Sequence, residues 1–353
     1  MNTTTTSTVP AHRSSTTSAA DPVDAIVVKA HHALAQVIPT GMPCALLDHP
    51  DHPNVGDSAI WMGERVFLRA NRNRVAYSCS VLTFNEDTLR RAMPEGIVLI
   101  HGGGNFGTLW PHHQKLRERI LERLTDYRIV QLPQTIRFED AASAAHTAQL
   151  ISAHKDFHVL TRDTSSLAFA REQLGAKSSM CPDAALLLVG KLKREAPIVD
   201  CLVLARTDKE RAFADLEHAF AHSQRSVQTA DWLEEPTGLL HRVRNRLKYA
   251  TRHSFASSPL FQAAMLAVWD RLATERTQRG CRLLSRGRIV ITDRLHAHIL
   301  STLLGIPHIV LDNNYGKLSG FIDTWTRDNP LVHRASSTRE ATQIAERLLQ
   351  ARG

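Results

Sequence analysis

The sequence predicts an α/β protein of two Rossmann-like domains facing each other across a cleft, each a parallel sheet covered by helices. Three observations predict it. Short apolar runs alternate with helical stretches along almost the whole chain, as strands buried on both faces do. The alternation breaks at Lys191-Leu192-Lys193-Arg194-Glu195-Ala196-Pro197 and then restarts. Two of the runs, at 98–100 and 289–291, stop in loops rich in Gly, His and Arg, which puts polar chemistry at the carboxyl ends of strands, where such sheets bind ligands.

In the first half, strands are expected at 44–48, 74–79, 97–100, 128–131 and 158–161, with helices near 57–70, 112–125, 139–153 and 163–174. The apolar run 184–189 precedes the charged break, so the domains divide as 21–190 and 191–353. Residues 1–20 read as a disordered Thr/Ser-rich tail that lacks the apolar core of a secretion signal. The second half restarts with a strand at 201–205 and a helix near 208–221. A long helical region at 256–279 and strands at 288–291 and 308–311 follow.

With 353 residues, 43% hydrophobic and 22% charged, the chain can bury full cores without disulfides or metal. No run approaches the roughly 18 continuous apolar residues of a membrane span; the best, 299–311, is broken by Ser301, Gly305, Pro307 and His308. Cys44, Cys79, Cys181, Cys201 and Cys281 are widely spaced, without a Cys-x-x-Cys pair, and read as reduced core cysteines of a cytosolic protein. The net charge of +8 favours an anionic partner. Nucleic acid is not expected, because basic and aromatic residues do not interleave into a stacking platform.

The segment Val98-Leu99-Ile100-His101-Gly102-Gly103-Gly104-Asn105-Phe106-Gly107-Thr108-Leu109-Trp110-Pro111-His112-His113 feeds a buried strand into a loop. Three glycines let backbone N–H groups approach an anion, and a helix beginning near Pro111 adds its positive end; a tight strand-to-helix turn without a ligand is the plainer reading. The segment Ile289-Val290-Ile291-Thr292-Asp293-Arg294-Leu295-His296-Ala297-His298 repeats the strand-loop-helix order. At about 100° per residue, Leu295, Ile299, Leu300, Leu303 and Leu304 form one arc with His296 in its middle, and Arg294 and His298 lie opposite. His296 therefore points into protein, as a ligand-facing group in the crevice or as a satisfied core histidine.

Arg162, in Leu160-Thr161-Arg162-Asp163, offers a forked guanidinium to a carboxylate or phosphate, with an ion pair to Asp163 as the structural alternative. Lys317 closes Leu311-Asp312-Asn313-Asn314-Tyr315-Gly316-Lys317, as an anion contact or a solvated charge. Asp57, at the end of a turn-rich loop, is expected to cap a helix and to reach the cleft, and Asp183 in Cys181-Pro182-Asp183-Ala184 is a cleft acid or a structural acceptor.

Together these segments resemble the polysaccharide pyruvyl transferase family, whose members move a pyruvyl group from phosphoenolpyruvate to a sugar as a ketal. The resemblance covers 54–325 and rests on Gly56-Asp57-Ser58-Ala59, Gly102-Gly103-Gly104-Asn105, Leu109-Trp110-Pro111-His112-His113-Gln114, Leu132-Pro133-Gln134-Thr135, Arg162-Asp163, Pro182-Asp183, Asp293-Arg294-Leu295-His296 and Asn314-Tyr315-Gly316-Lys317. It implies a fold like that of the two-domain, GT-B-like glycosyltransferases. It also implies His113 and His296 as catalytic residues, and substrate contacts from Arg162, Arg294, Leu295, Gly103, Gly104, Asn105, Asp57 and Lys317. His112 is the neighbouring alternative to His113, and Thr108 stands where the family pattern calls for an acid.

On this resemblance the donor is phosphoenolpyruvate, with no cofactor and no metal, and the acceptor is a sugar of an exopolysaccharide or of its lipid-linked precursor. The glycine loop then shapes the cleft wall and sets His113, while the arginines bind the anion. One rival is a GT-B-like glycosyltransferase with a nucleotide-sugar donor, whose base-and-ribose site, usually with a Glu near the C-terminal ligand loop, is not found. Another is a non-catalytic sugar- or nucleotide-binding protein, which has no need of His113, Arg162, Arg294 and His296 together. Leu239, Val243 and Leu247, flanked by Arg242, Arg244, Arg246, Lys248 and Arg252, form a basic amphipathic helix. It is read either as a solvated surface helix or as one resting on the inner face of an anionic membrane, so the expected location is cytoplasmic or peripheral at that face.

Overall fold

A computed structural model describes residues 22–205, 225–312 and 317–351. Two parallel sheets frame it. The first contains β1 (Cys44–Leu47), β2 (Val75–Ser78), β3 (Ile97–Ile100), β4 (Gly103–Gly107), β5 (Arg128–Arg137), β6 (Phe157–Thr161) and β7 (Lys177–Met180), in the order β2-β1-β3-β5-β6-β7, with β4 paired to β5. The second contains β8 (Val199–Leu204), β9 (Val227–Ala230), β10 (Gly287–Thr292), β11 (His308–Leu311) and β12 (Val332–Ala335), in the order β12-β11-β10-β8-β9. The chain changes direction across the sheet between β1 and β3 and again between β8 and β10. Such switch points leave crevices at the carboxyl ends of the strands.

The described helices are α1 (Pro22–Val37), α2 (Val55–Ala70), α3 (Glu86–Ala92), α4 (Pro111–Arg123), α5 (Ala141–Ala153), α6 (Thr164–Glu172), α7 (Leu239–Ala250), α8 (Pro259–Ser285), α9 (Leu295–Leu303), α10 (Lys317–Phe321) and α11 (Thr338–Gln350). The expected helix at 208–221 and the tail at 1–20 lie outside the described residues. The expected helical region at 256–279 is a short 3-10 turn at Ser254–Ser257 followed by α8, which Ser258 caps and which runs on to Ser285. The apolar run after Asp183 is a fully buried 3-10 turn, Ala184–Leu188.

The strand at 128–131 extends to Arg137. Its register shifts between Gln131 and Gln134, which absorbs Pro133 in mid-strand. On the other side of β5 the chain leaves β3 at His101–Gly102 and rejoins as β4. The Gln131 amide donates to the carbonyls of Ile100 (3.1 Å) and His101 (3.0 Å), and the Gln134 amide to that of His101 (3.1 Å), so the two carbonyls where the ladder is interrupted are paired by side chains.

The domains share a core. Buried residues of the first sheet, α2, α8, α9 and one face of the second sheet form a continuous cluster, while Ile289 and Ile291 of β10 point to the other face, beneath α11. Helix α8 lies along α2. Asp270 on α8 accepts from three donors of α2: Trp61 Nε1 (2.9 Å), Arg65 Nε (3.0 Å) and Arg69 Nη2 (2.8 Å). Gly63 lets α2 approach the Ala184 turn so closely that a Cβ would stand 1.8 Å from the Ala184 carbonyl oxygen. The five cysteines are buried and unpaired, and burial pushes the thiols of Cys44, Cys79, Cys201 and Cys281 up to about 12. Among the described residues no helix is long and apolar enough to cross a membrane.

Asp270→Ala leaves two enclosed donors, Trp61 and Arg65, without their acceptor, while the exposed Arg69 turns to water, and should lower the free energy of unfolding in urea by about 2–4 kcal/mol. A loss below about 0.5 kcal/mol, the scale of an ordinary surface change, would mean that apolar packing alone joins the helices.

Candidate functional site

The carboxyl ends of β1, β3, β6, β9 and β10 open on one cleft of about 500 Å³ between the sheets. On its first wall, Asp48 follows β1 in the left-handed region (φ 68°), a conformation that costs a non-glycine residue energy. Both its carboxylate oxygens lie 2.9 Å from Nδ1 of His113, in the first turn of α4. With Nδ1–H donated to Asp48, the nitrogen left for chemistry is Nε2. Asn105 donates to Asp48 (3.2 Å), and its own Oδ1 accepts from Gln134 Nε2 and Arg117 Nη2, both at 2.9 Å, which orients the amide. Arg117 is fully buried, and burial lowers its pKa to about 10. His112 is exposed; His113 lines the cleft, with Trp110 beside it.

At the cleft's deep end, His101 follows β3 with Nδ1 2.8 Å from Glu64 Oε2, and Glu64 Oε1 accepts the Gly102 N–H at 2.8 Å. Burial works against a charged His101, but Glu64 outweighs it and raises the imidazole pKa above its usual value. The expected glycine turn is corrected here. Gly103–Gly107 is strand β4, not a turn, and the N–H groups of Gly102 and Asn105 are taken by Glu64 and by Gln134 Oε1 (3.2 Å), so these two are not offered to an anion. Gly104 lines the cleft, whereas Gly103 sits behind it against Asp57 and Ile60. Thr108 has a structural task, accepting the Glu139 N–H at 2.9 Å.

Asp57 is not the helix cap. Asn54 caps α2 by accepting the Gly56 N–H (3.1 Å) and donates to Asp57 (2.8 Å), so Asp57 sits inside the first turn and reaches the cleft. Burial raises its carboxyl pKa, but His52, His296, His101 and His113 together hold it below the usual range. His52 itself is lowered by burial.

Arg162 leaves β6 and is held by Asp183 (Nη1 to Oδ2, 2.6 Å) and Thr135 (Nε to Oγ1, 3.0 Å). Asp163, the partner in the structural alternative, instead caps α6 through the Ser166 N–H (2.8 Å). From the second domain, Arg294 places Nη2 between the oxygens of Asp231 at 2.8 and 2.9 Å, with its guanidinium 5.7 Å from the Trp232 ring. Helix α9 starts at Leu295 without a side-chain cap, so the positive end of its dipole lies at the cleft beside Leu295 and His296. His296 Nε2 is 3.4 Å from Asp183 Oδ2. Burial raises the Asp183 carboxyl, yet His296 and Arg162 hold it well below the usual range. The domains touch here: a Cβ on Gly56 would lie 2.4 Å from Nδ1 of His296.

The structure thus brings His113, Asn105, Gly104, Asp57, Arg162, Arg294, Leu295 and His296 to one cleft. The side chain of Lys317, with residues 313–316, lies outside the described residues. The two-faced reading of α9 is corrected by His298, which is fully buried, with Nδ1 2.8 Å from His308 Nε2 and Nε2 3.0 Å from Thr326 Oγ1. Helix α9 is packed between its sheet, α8 and α2, and of its residues only His296 and Leu303 are half-buried, so the side that carries His298 is not a solvent face. Asp48, Glu64, His101 and Asp231 were not singled out by sequence reasoning. Among the described residues no group of three or more His, Cys, Asp or Glu side chains is arranged to hold a metal ion.

The sequence profile of polysaccharide pyruvyl transferases matches residues 54–315. The chain belongs to the polysaccharide pyruvyl transferase family. A Bacillus subtilis protein that carries the name pyruvyl transferase EpsO is 33% identical over 312 residues, covering 86% of this chain and 92% of its own. Pyruvyl transferase 1 of Schizosaccharomyces pombe is 32% identical over 293 residues, covering 80% and 69%. The crystal structure of an uncharacterized Klebsiella pneumoniae protein aligns with a TM-score of 0.57 over 88% of this chain and 99% of that one, at 17% identity, and so supports the fold alone. As a polysaccharide pyruvyl transferase, the protein is a transferase that moves pyruvyl groups onto polysaccharide.

A histidine whose pKa is raised by folding stabilises the protein fully below its unfolded value, about 6.5, and that contribution is lost as pH rises through the folded pKa. The stability advantage of the native protein over Glu64→Gln should therefore be largest in mildly acidic solution and shrink as pH rises through the folded pKa of His101. Unfolding in urea across this range, compared between the two proteins, checks the sign; an advantage that grows with pH would mean that Glu64 does not hold a charged His101.

Proposed function

We propose that the protein transfers the pyruvyl group of phosphoenolpyruvate to two hydroxyls of one sugar residue, in an exopolysaccharide or its lipid-linked precursor, closing a cyclic ketal. The observation that carries this reading is the division of labour in the cleft: a His113–Asp48 pair in the same cavity as Arg162 and, from the second domain, Arg294 and the uncapped start of α9. Phosphoenolpyruvate brings a phosphate and a carboxylate on three carbons. It needs two clustered anion sites, which fixed guanidinium groups and a helix N-terminus supply.

In this scheme Arg294 and the first N–H groups of α9 hold the phosphate, and Arg162 holds the carboxylate. His113 Nε2 delivers a proton to the methylene carbon while a sugar hydroxyl bonds to C2, and the proton of that hydroxyl restores the imidazolium. The C2–O bond to phosphate then breaks as the second hydroxyl bonds to C2, and its proton replaces the one that the leaving phosphate takes up. In the same scheme His296 passes a proton to the leaving phosphate, and Asp57 takes a hydrogen bond from an acceptor hydroxyl. One ketal and one phosphate result, and the balance requires no redox partner or cofactor.

Incubation of the pure protein with phosphoenolpyruvate and a panel of pyranosides, with and without added metal, should release phosphate in step with a ketal-bearing product. His113→Ala should lower kcat by about 10²–10⁴. Asp48→Asn should lower kcat with little change in the KM for phosphoenolpyruvate, and Arg294→Ala should chiefly raise that KM. No phosphate release with any acceptor, together with binding of a nucleotide sugar, would sink the reading in favour of glycosyl transfer.

A further inference from the structure

From Pro236 to Trp269 the chain carries no Asp or Glu, but five cations: Arg242, Arg244, Arg246, Lys248 and Arg252. The structure sorts them by face. Arg244 and Lys248 turn to the rim of the cleft, where both ion-pair with Asp51, next to His52. Leu240 and Leu247 pack against the core, and Val243 is half-buried, so most of the apolar stripe expected on α7 faces inward. The other side of α7 and the turn after it leave Arg242, Arg246 and Arg252 exposed.

Large apolar side chains stand exposed among these cations: Leu239 (70%), Tyr249 (65%), Phe255 (54%) and Leu260 (85%). Part of this surface is demonstrably continuous. The Arg252 guanidinium lies 5.4 Å from the Tyr249 ring centre, His253 stands 6.3 Å from Tyr249 and stacks on Phe255 at 5.4 Å, and Phe255 meets Phe261 edge-on at 5.6 Å. An isolated exposed Leu needs no explanation, but aromatic and aliphatic side chains held among unopposed cations do.

We propose that this surface, the outer face of α7 with the following turn and the start of α8, docks on the headgroup layer of an anionic bilayer. The arginines draw it to acidic lipids, and Tyr249, Phe255 and Leu260 enter the interfacial layer, where side chains of this kind lodge. A soluble polyanion such as RNA or an acidic polysaccharide would satisfy the arginines but leave Leu239 and Leu260 without a partner. Because Asp51 ties the inner face of α7 to the rim of the cleft, a docked protein holds that rim near the lipid surface. Its use in reaching a lipid-linked acceptor rests on the pyruvyl-transfer reading; the docking itself does not.

The test is co-sedimentation of the full-length protein with phosphatidylcholine vesicles and with mixed phosphatidylcholine and phosphatidylglycerol vesicles, without substrate. Binding is expected only to the mixed vesicles. R242Q/R246Q/R252Q should weaken it by about a hundred-fold, given the usual gain per basic residue at such a surface. Y249S/F255S/L260S should also weaken it, and what remains should be released by salt. Unchanged unfolding midpoints show that both variants fold. Equal sedimentation with neutral vesicles would overturn the proposal. So would unaltered binding of Y249S/F255S/L260S combined with full competition by dextran sulfate, which would make the surface a site for soluble polyanions.

Discussion

Helix α2 sets the distance between the two domains, and the arrangement of the cleft follows from it. Its residues serve three directions, at spacings that a helix of about 3.6 residues per turn brings into register. Gly56 and Gly63, seven apart, mark the close approaches to His296 and to the Ala184 turn. Asp57 and Glu64, also seven apart, carry carboxylates to the cleft and to His101 at its deep end. Trp61, Arg65 and Arg69, four apart, meet Asp270 on α8. One nearly enclosed helix is thus spacer, electrostatic element and clamp at once, which explains why the core runs through both domains without a break.

The cations and imidazoles of the cleft are held by acids. Asp48 takes His113, Glu64 takes His101, Asp183 takes Arg162 and Asp231 takes Arg294. These pairs are weak evidence for stability, since removing both charges from water costs about as much as their attraction returns. Their value lies in position. A guanidinium gripped at two nitrogens, as Arg162 is, or by two carboxylate oxygens, as Arg294 is, does not have to be ordered when an anionic substrate arrives.

Much of this was legible in the sequence because parallel strands inside a sheet are apolar on both faces. The runs that became β1, β3, β6, β8, β10 and β11 announced themselves, and with them the loops at their carboxyl ends that carry Arg162 and Arg294. Strands β7, β9 and β12 lie at sheet edges, where one side is unpaired; Lys177-Ser178-Ser179-Met180 and Val332-His333-Arg334-Ala335 carry too little apolar pattern to be seen. Strand β4 was hidden by its glycines, which signal turns. The acids were hidden for another reason. Asp48 lies 65 residues before His113, Glu64 lies 37 before His101 and Asp231 lies 63 before Arg294, so no local spacing links them. Only the two switch points, by bringing distant strand ends together, create those pairs.

The contact between Gly56 and His296 joins residues 240 positions apart into a single heritable unit. A codon change that gives residue 56 any side chain drives it into the imidazole, and so must be accompanied by a smaller residue at 296 or by a shift of α9 against α2. Lineages that retain the histidine are therefore confined to glycine at 56, whereas those that abandon it are released from that restriction. Sequence drift at the two positions should occur jointly, and recombination that exchanges one domain without the other should be tolerated only between parents that match at both.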